Sequence, residues 1–439
     1  MQIFDTYSEA IQEFVPAHRP VRLYVCGITP YDATHMGHAF TYVFFDVLVR
    51  YLEFLGYPVR YVQNVTDIDD DILHRAAELG EPWYELAREQ TERYVEDMVA
   101  LNVRPPNVFP RASREIPRMV EIIEILLRNG FAYRASGNVY FPVQADPDYG
   151  ALSHLAPDEM LAIASERGND PNDPYKLNPL DFVLWQERKP GEPWWESPFS
   201  RGRPGWHIEC SAMSLKYLGE TLDIHGGGTD LVFPHHESEI AQSEHATGRR
   251  PFARYWVHTG MVHYRGEKMS KSLGNLVMVR EVLAAHSADA LRVYLLSHHY
   301  RHRWSYDARG LTAAEALAQH LVLALQASSN PGSPIALDPA SWRGLFLEAM
   351  DDDMNTPAAL TSLSGLAGEI VASGSQGQDV LQAQLVLREM MNVLGLPSAL
   401  ADGQAKAALG AAWRCVHEPS DCPHAYNTRS GARRWSAFN

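Results

Sequence analysis

Between Val21 and Asn64 the spacing of apolar positions changes twice. Val21-Arg22-Leu23-Tyr24-Val25 is a strand-like run, residues 40–55 are apolar at helical spacing until Gly56 and Pro58 stop them, and Val59–Asn64 alternates. Strand, loop, helix, strand is the opening of an open α/β sheet, in which ligands collect at the carboxyl ends of the strands. Helical spacing resumes from Asp71 to Leu101, interrupted by Gly80 and Pro82 and ended by Arg104-Pro105-Pro106. Residues 117–129 predict a further helix closed by Gly130, and Asn138–Phe141 a short strand. From 145 to 205 the pattern dissolves into Asp, Pro, Gly and Trp, which predicts an irregular connective segment rather than core sheet. Beyond residue 275 the periodic stretches are helical: 279–285, a start at Asp289, the Ala/Leu-rich 311–327 and, after a Pro/Ser/Gly linker at 329–340, residues 341–350, 357–372 and 378–393. A helical bundle therefore follows the α/β part.

Composition narrows the class. With 439 residues, 46% hydrophobic and 21% charged, the chain has ordinary globular content and room for two or three domains. Thirty-eight Lys and Arg against 54 Asp and Glu give a formal charge of −16, which argues against non-specific nucleic-acid affinity over the whole surface but leaves room for a local basic patch. The opening Met1–Tyr7 lacks a basic-then-apolar leader, and no uninterrupted apolar segment reaches membrane length, so a cytoplasmic protein with no membrane partner is expected. Four cysteines are too few for a disulfide scaffold, and reduced thiols are expected.

Candidate chemistry sits where the α/β pattern puts its loops. Cys26 ends the first strand, and His35 and His38, three apart around Gly37, present both imidazoles to one side of a helix start. Unpaired N–H groups and two imidazoles favour an anion, with a phosphate chain the obvious candidate. Gly266–Asn275 carries Lys268 and Lys271 among small residues, a loop able to bring positive charge onto the same phosphates. Gly226-Gly227-Gly228-Thr229-Asp230 follows the strand-like Leu222–His225, so its backbone can approach a nucleotide closely while Asp230 accepts from ribose hydroxyls. His235 and Glu239 are i,i+4 on a helix beginning near Pro234; with Cys26 and Cys210 they make a donor set of two thiolates, an imidazole and a carboxylate, which suits zinc. His236 competes with His235, and the residues alone do not rank them. Asp69, Asp70 and Asp71 read as a solvated loop and helix cap. A rival zinc knuckle would use Cys415, His417, Cys422 and His424.

The HMGH (35–38) and KMSKS (268–272) pairs resemble the two signatures of class I aminoacyl-tRNA synthetases. CGITPYDATHMGHA (26–39), NVTDIDDDI (64–72), PLDFVLW (179–185), PGWHIECSAM (204–213), DIHGGGTDLVFPHHESEIAQSE (223–244) and KMSKSLGN (268–275) resemble the cysteinyl-tRNA synthetase family, up to about residue 395. That superfamily also holds the cysteine:glucosaminyl-inositol ligases of mycothiol synthesis. The resemblance implies a Rossmann-like catalytic domain over 1–275 with a connective insertion at about 112–205, and a tRNA-stem-contacting helical domain over 276–395. Residues 396–439 depart from the family pattern, with no sign of the expected anticodon-reading module, and are expected to be an atypical tail for which disorder is the simpler account.

In function, the resemblance implies an ATP-dependent ligase that converts L-cysteine to cysteinyl adenylate and transfers it to tRNA(Cys). The aminosugar acceptor is the alternative. It further implies one zinc per subunit with His235 as the imidazole ligand, ATP bound with magnesium, and Lys271 nearest the phosphates. Thr66, Trp206 and His225 would shape the cysteine pocket. Glu239 and Met350-Asp351-Asp352-Asp353-Met354-Asn355-Thr356-Pro357 favour the synthetase branch, whereas the CGITPYDATH loop leans the other way. A monomer is expected.

Overall fold

The computed structural model describes residues 1–32, 34–269, 274–396 and 403–417. A hairpin of β1 (Gln2–Asp5) and β2 (Ala10–Glu13) precedes β3 (Val21–Ile28), α1 (Met36–Phe54) and β4 (Val59–Val65), the βαβ unit that the apolar spacing predicts. Asp69 caps α2 (Asp70–Leu79) by accepting from the Asp71 amide, as expected, and Gly80 ends the helix in left-handed backbone before α3 (Trp83–Ala100). Next comes α4 (Ile116–Asn129), closed by Gly130.

The following stretch holds the short strand expected at Asn138–Phe141, and within 145–205 it corrects the expectation of an irregular segment. β5 (Tyr133–Ala135), β6 (Asn138–Phe141), α5 (Pro157–Glu166), β7 (Phe182–Glu187) and β8 (Gly202–Pro204) are regular, and the four strands form an antiparallel sheet in the order β5-β6-β7-β8. Strands of three to six residues separated by long Asp/Pro/Gly loops carry too little alternation to stand out from the loops.

The chain then returns to the first sheet through α6 (Trp206–Leu218), β9 (Leu222–Gly228), a single π-turn at Val232–His236, α7 (Glu237–Thr247) and β10 (Ala253–Thr259). The sheet is parallel, in the order β10-β9-β3-β4. Both faces are buried. Leu23 and Val25 of β3 join the core that includes α1, while Tyr24 and Cys26 point into the core that includes α6, so alternation along one strand sends Cys26 to the face that also holds Cys210.

A small sheet in the order β12-β11-β13 combines β11 (Val262–Tyr264) and β12 (Glu267–Lys268) with β13 (Trp304–Ser305), which follows α8 (Val279–Ala285) and α9 (Ala288–Leu296). The bundle consists of α10 (Ala308–Gln326), α11 (Ala340–Asp351), α12 (Thr356–Ser375) and α13 (Leu381–Val393). Within the expected tail, residues 403–417 are a helix, α14 (Gly403–His417), which packs on α3 with Trp413 fully buried and its indole N–H donating to the Val103 carbonyl at 2.9 Å. An Ala-rich run gives the helix; one tryptophan gives it somewhere to dock. Cys26 and Cys210 are free thiols, and of the rival zinc knuckle Cys415 and His417 lie on α14. Cys422 and His424 lie outside the described residues. Among the described residues no helix is long and apolar enough to cross a membrane.

Candidate active site and metal centre

The carboxyl ends of β3, β4 and β9 meet the amino end of α1. His35 is the N-cap of α1, its Nδ1 accepting from the Gly37 amide at 3.0 Å, and its ring stacks on His38 with centroids 3.9 Å apart. The two imidazoles thus lie together at the helix start, where α1 presents its unpaired N–H groups. The chain after the KMSKS loop is tied to the same place: Met36 donates to the Val277 carbonyl at 3.0 Å and Val279 to the Thr34 carbonyl at 2.9 Å. Lys268, on β12, reaches across to Asp230 with Nζ 3.8 Å from Oδ2. Lys271 lies outside the described residues. Gly226–Gly228 form the last part of β9 rather than a free loop, and the Thr259 hydroxyl, which also bonds Thr41 at 2.7 Å, donates to the Gly227 carbonyl at 3.5 Å.

Behind this edge lies a dry cluster. Cys26, Cys210, His235 and Glu239 come from β3, α6, the π-turn and α7, and each is at most 4% exposed. Their ligand atoms all lie within 4.8 Å of one another. Glu239 Oε1 stands 3.3 Å from Cys26 Sγ and 3.2 Å from His235 Nε2. His225 Nε2 lies 3.0 Å from Glu239 Oε2, and His236 Nε2 lies 3.3 Å from Cys26 Sγ. Cys26, His225, His236 and Glu239 accordingly form a second, overlapping set. The competition between the two histidines is physical, since both rings face the cluster. Their other contacts separate them. His236 is hydrogen-bonded on both nitrogens, to Cys26 and to His258, whereas His235 is held through Nδ1 by His207 at 3.0 Å and its buried Nε2 has only Glu239 Oε1 at 3.2 Å, without hydrogen-bond geometry. An orphaned ring nitrogen facing two sulfurs and a carboxylate is what a cation ligand looks like without its ion, so zinc fits the first set.

Trp206, at the start of α6, stacks on His235 with centroids 4.1 Å apart, and His225 lies in the cluster itself. Thr66 is buried just past β4, its Oγ1 accepting from Asn64 and its amide donating to the Ile28 carbonyl at 2.9 Å. Residues 13–316 match the family described as tRNA synthetases class I (C) catalytic domain, and residues 345–398 match the DALR domain. A cysteine--tRNA ligase of Dehalococcoides mccartyi is 46% identical over 405 residues, covering 92% of this chain and 87% of that protein. One from Alkalilimnicola ehrlichii is 48% identical over 396 residues, covering 89% and 83%. The chain belongs to the cysteinyl-tRNA synthetase family. In fold it is similar to Mycobacterium tuberculosis methionyl-tRNA synthetase in complex with methionyl-adenylate, with a TM-score of 0.62 at 18% identity over 92% of both chains.

Burial sets the charge state of the cluster's groups. Burial pushes the Cys26 thiol and the Glu239 carboxyl well above their ordinary values. Burial likewise holds His235 and His236 well below theirs. Neutral thiol and carboxyl are poor ligands, and a divalent ion among them reverses that preference. Sequence reasoning missed the histidines behind the cluster. His207 stands three residues before Cys210 and shares its helix face, and His258 shares a strand face with Trp256 on β10, where its Nδ1 bonds the Thr6 hydroxyl at 2.7 Å. The i,i+3 spacing of His207 and Cys210 was the available signal.

Proposed function

We propose that this chain activates L-cysteine with ATP and esterifies it to tRNA(Cys), with one zinc held by Cys26, Cys210, His235 and Glu239. The observation that carries the reading is the buried Cys/Cys/His/Glu set beside the amino end of α1, in a chain 46% identical to a cysteine--tRNA ligase. Residues 1–275 then act as the catalytic domain, with the insertion at about 112–205, and 276–395 as the domain that contacts the tRNA stem.

When bound, zinc supplies a soft Lewis acid that favours a thiol-bearing substrate over one bearing a hydroxyl. The chain's residues do the rest. Trp206, Thr66 and His225 shape the pocket so that the substrate carboxylate faces the α-phosphate of ATP. A carboxylate oxygen attacks that phosphorus, the bond to the bridging oxygen breaks, and pyrophosphate leaves. His35, His38, Lys268 and Lys271, with Gly37 allowing close approach, hold the phosphates and the charge that develops on the leaving group. Gly227 and Asp230 take the nucleoside, and magnesium accompanies ATP. The tRNA 3′ hydroxyl then attacks the adenylate carbonyl and AMP departs.

Pyrophosphate exchange into ATP tests the activation step. Exchange dependent on cysteine and at least 10²-fold weaker with serine is expected. A folded, zinc-loaded protein that exchanges equally with both, or with neither in the presence of tRNA, would remove the proposal.

A further inference from the structure

The acidic segment after α11 is not used by this chemistry, yet it occupies a junction. Asp353 and Met354 both have left-handed backbone, with φ of 52° and 54°, and both are buried. Two successive non-glycine residues in that region are costly and persist only where the surroundings hold them. The surroundings of Asp353 come from two separate parts of the chain, the first strand and residues 300–301. Its Oδ1 accepts from the Phe4 amide at 2.8 Å and the Tyr300 hydroxyl at 2.6 Å, and its Oδ2 accepts from Arg301 Nε at 2.5 Å. The Arg301 guanidinium also lies over the Phe4 ring at 4.5 Å, and the Tyr300 ring stacks on Phe44 of α1 at 4.1 Å.

Residues 300–303 lead directly into the sheet that carries Lys268. The Tyr300 carbonyl accepts from the Gly260 amide at 2.7 Å, and a Cβ on Gly260 would fall 2.4 Å from the His302 carbonyl, so the two backbones touch. Trp304 donates to the Met261 carbonyl at 3.2 Å, β13 pairs with β11 at Val262 and His263, and His263 in turn pairs with Lys268 of β12. From the bundle to the signature lysine there is a short route of hydrogen bonds, strand pairings and three residues of backbone: Asp353, Tyr300 and Arg301, β13, β11, Lys268.

We propose that Asp353 is a positioning residue for adenylate formation: it fixes the 300–303 turn to the helical bundle and thereby sets the height of β12 and Lys268 over the phosphates. The inference rests on the phosphate role given to Lys268 above. It assigns the acidic segment a task in the chemical step, carried out from outside the nucleotide site, and it makes the seating of the bundle a determinant of the activation rate.

The test is pyrophosphate exchange by the full chain carrying Asp353→Asn. Asparagine keeps the size and tolerates left-handed backbone but removes the negative charge that faces Arg301. The expected result is a kcat lowered about tenfold or more, with KM for cysteine and zinc content unchanged, at a temperature where circular dichroism shows the variant folded. Arg301→Gln, which leaves the Phe4 and Tyr300 bonds in place, serves the same purpose if Asp353→Asn does not fold. The double variant is expected to lose no more than the worse single one. A kcat within twofold of the wild type in the folded variants, whatever happens to their melting temperature, overturns the inference alone. An altered KM for cysteine or lost zinc also overturns it, because the effect would then lie at the pocket. Absence of exchange in the wild type itself would instead sink the functional reading, and the inference with it.

Discussion

At the residue scale, the candidate metal set and one buried ion cluster make the sharpest demands. Replacing Cys210 by Ser exchanges a soft donor for a hard one in a fully buried position, so zinc content and preference for cysteine over serine should fall together; zinc measured by mass spectrometry at full stoichiometry would contradict this. Asp46 is a different case. Burial alone would raise its carboxyl, but Arg50, Arg292 and Arg104 outweigh burial and hold it well below the usual carboxylate range. Arg292 is itself 1% exposed and also donates to the Leu101 and Leu394 carbonyls, so Asp46→Asn strands a buried cation and should cost about 3–5 kcal/mol. The sign follows from the depressed value: the stabilisation is complete above the unfolded carboxylate range of about 3.9 and is lost as pH falls below it. The gap between wild-type and Asp46→Asn melting temperatures should therefore be constant near neutrality and close below about pH 4. Cys26, Cys210 and Glu239 could be read from sequence as donors in distinctive motifs, whereas His235 was separated from its neighbour His236 only by the family resemblance. Their supports could not be read, since His258 and Thr6 are 252 positions apart and only the fold joins them.

At the scale of elements, α14 is the part whose contribution is easiest to isolate. Its hold on the catalytic body is Trp413, in edge-to-face contact with Tyr94 and Phe109, and His417, which accepts from Arg111. Trp413→Ala should destabilise the fold by about 3–5 kcal/mol while leaving zinc bound, read by thermal unfolding and metal content. Burial, Arg111 and Arg114 bring His417 down to about 4. The undocked imidazole binds a proton more readily than the docked one, so acidification from about 6.5 towards 4 should loosen α14, visible as faster amide exchange in 403–417 before the rest of the protein responds. Long helices and the first βαβ unit were legible because ten or more residues repeat one spacing. β11, β12 and β13, of two or three residues, have no period to read, and they are the strands that place Lys268. The signature motif announced the lysine, but the sheet beneath it is visible only once Gly260 and His302 are seen in contact.

At the scale of the molecule, the chain joins a parallel sheet that gathers ligands at one edge to a bundle anchored on that sheet's periphery. A net charge of −16 leaves RNA recognition to local contacts, so tRNA charging should weaken with added salt less steeply than for a broadly basic RNA-binding protein. Cysteine activation follows from the α/β body; the identity of the acceptor is the claim that reaches furthest. It is measured by supplying labelled cysteine and ATP with total tRNA and glucosaminyl-inositol together and following the label. The account predicts label on tRNA through a base-labile ester. Label in a stable amide of the aminosugar, with none on tRNA, would contradict it.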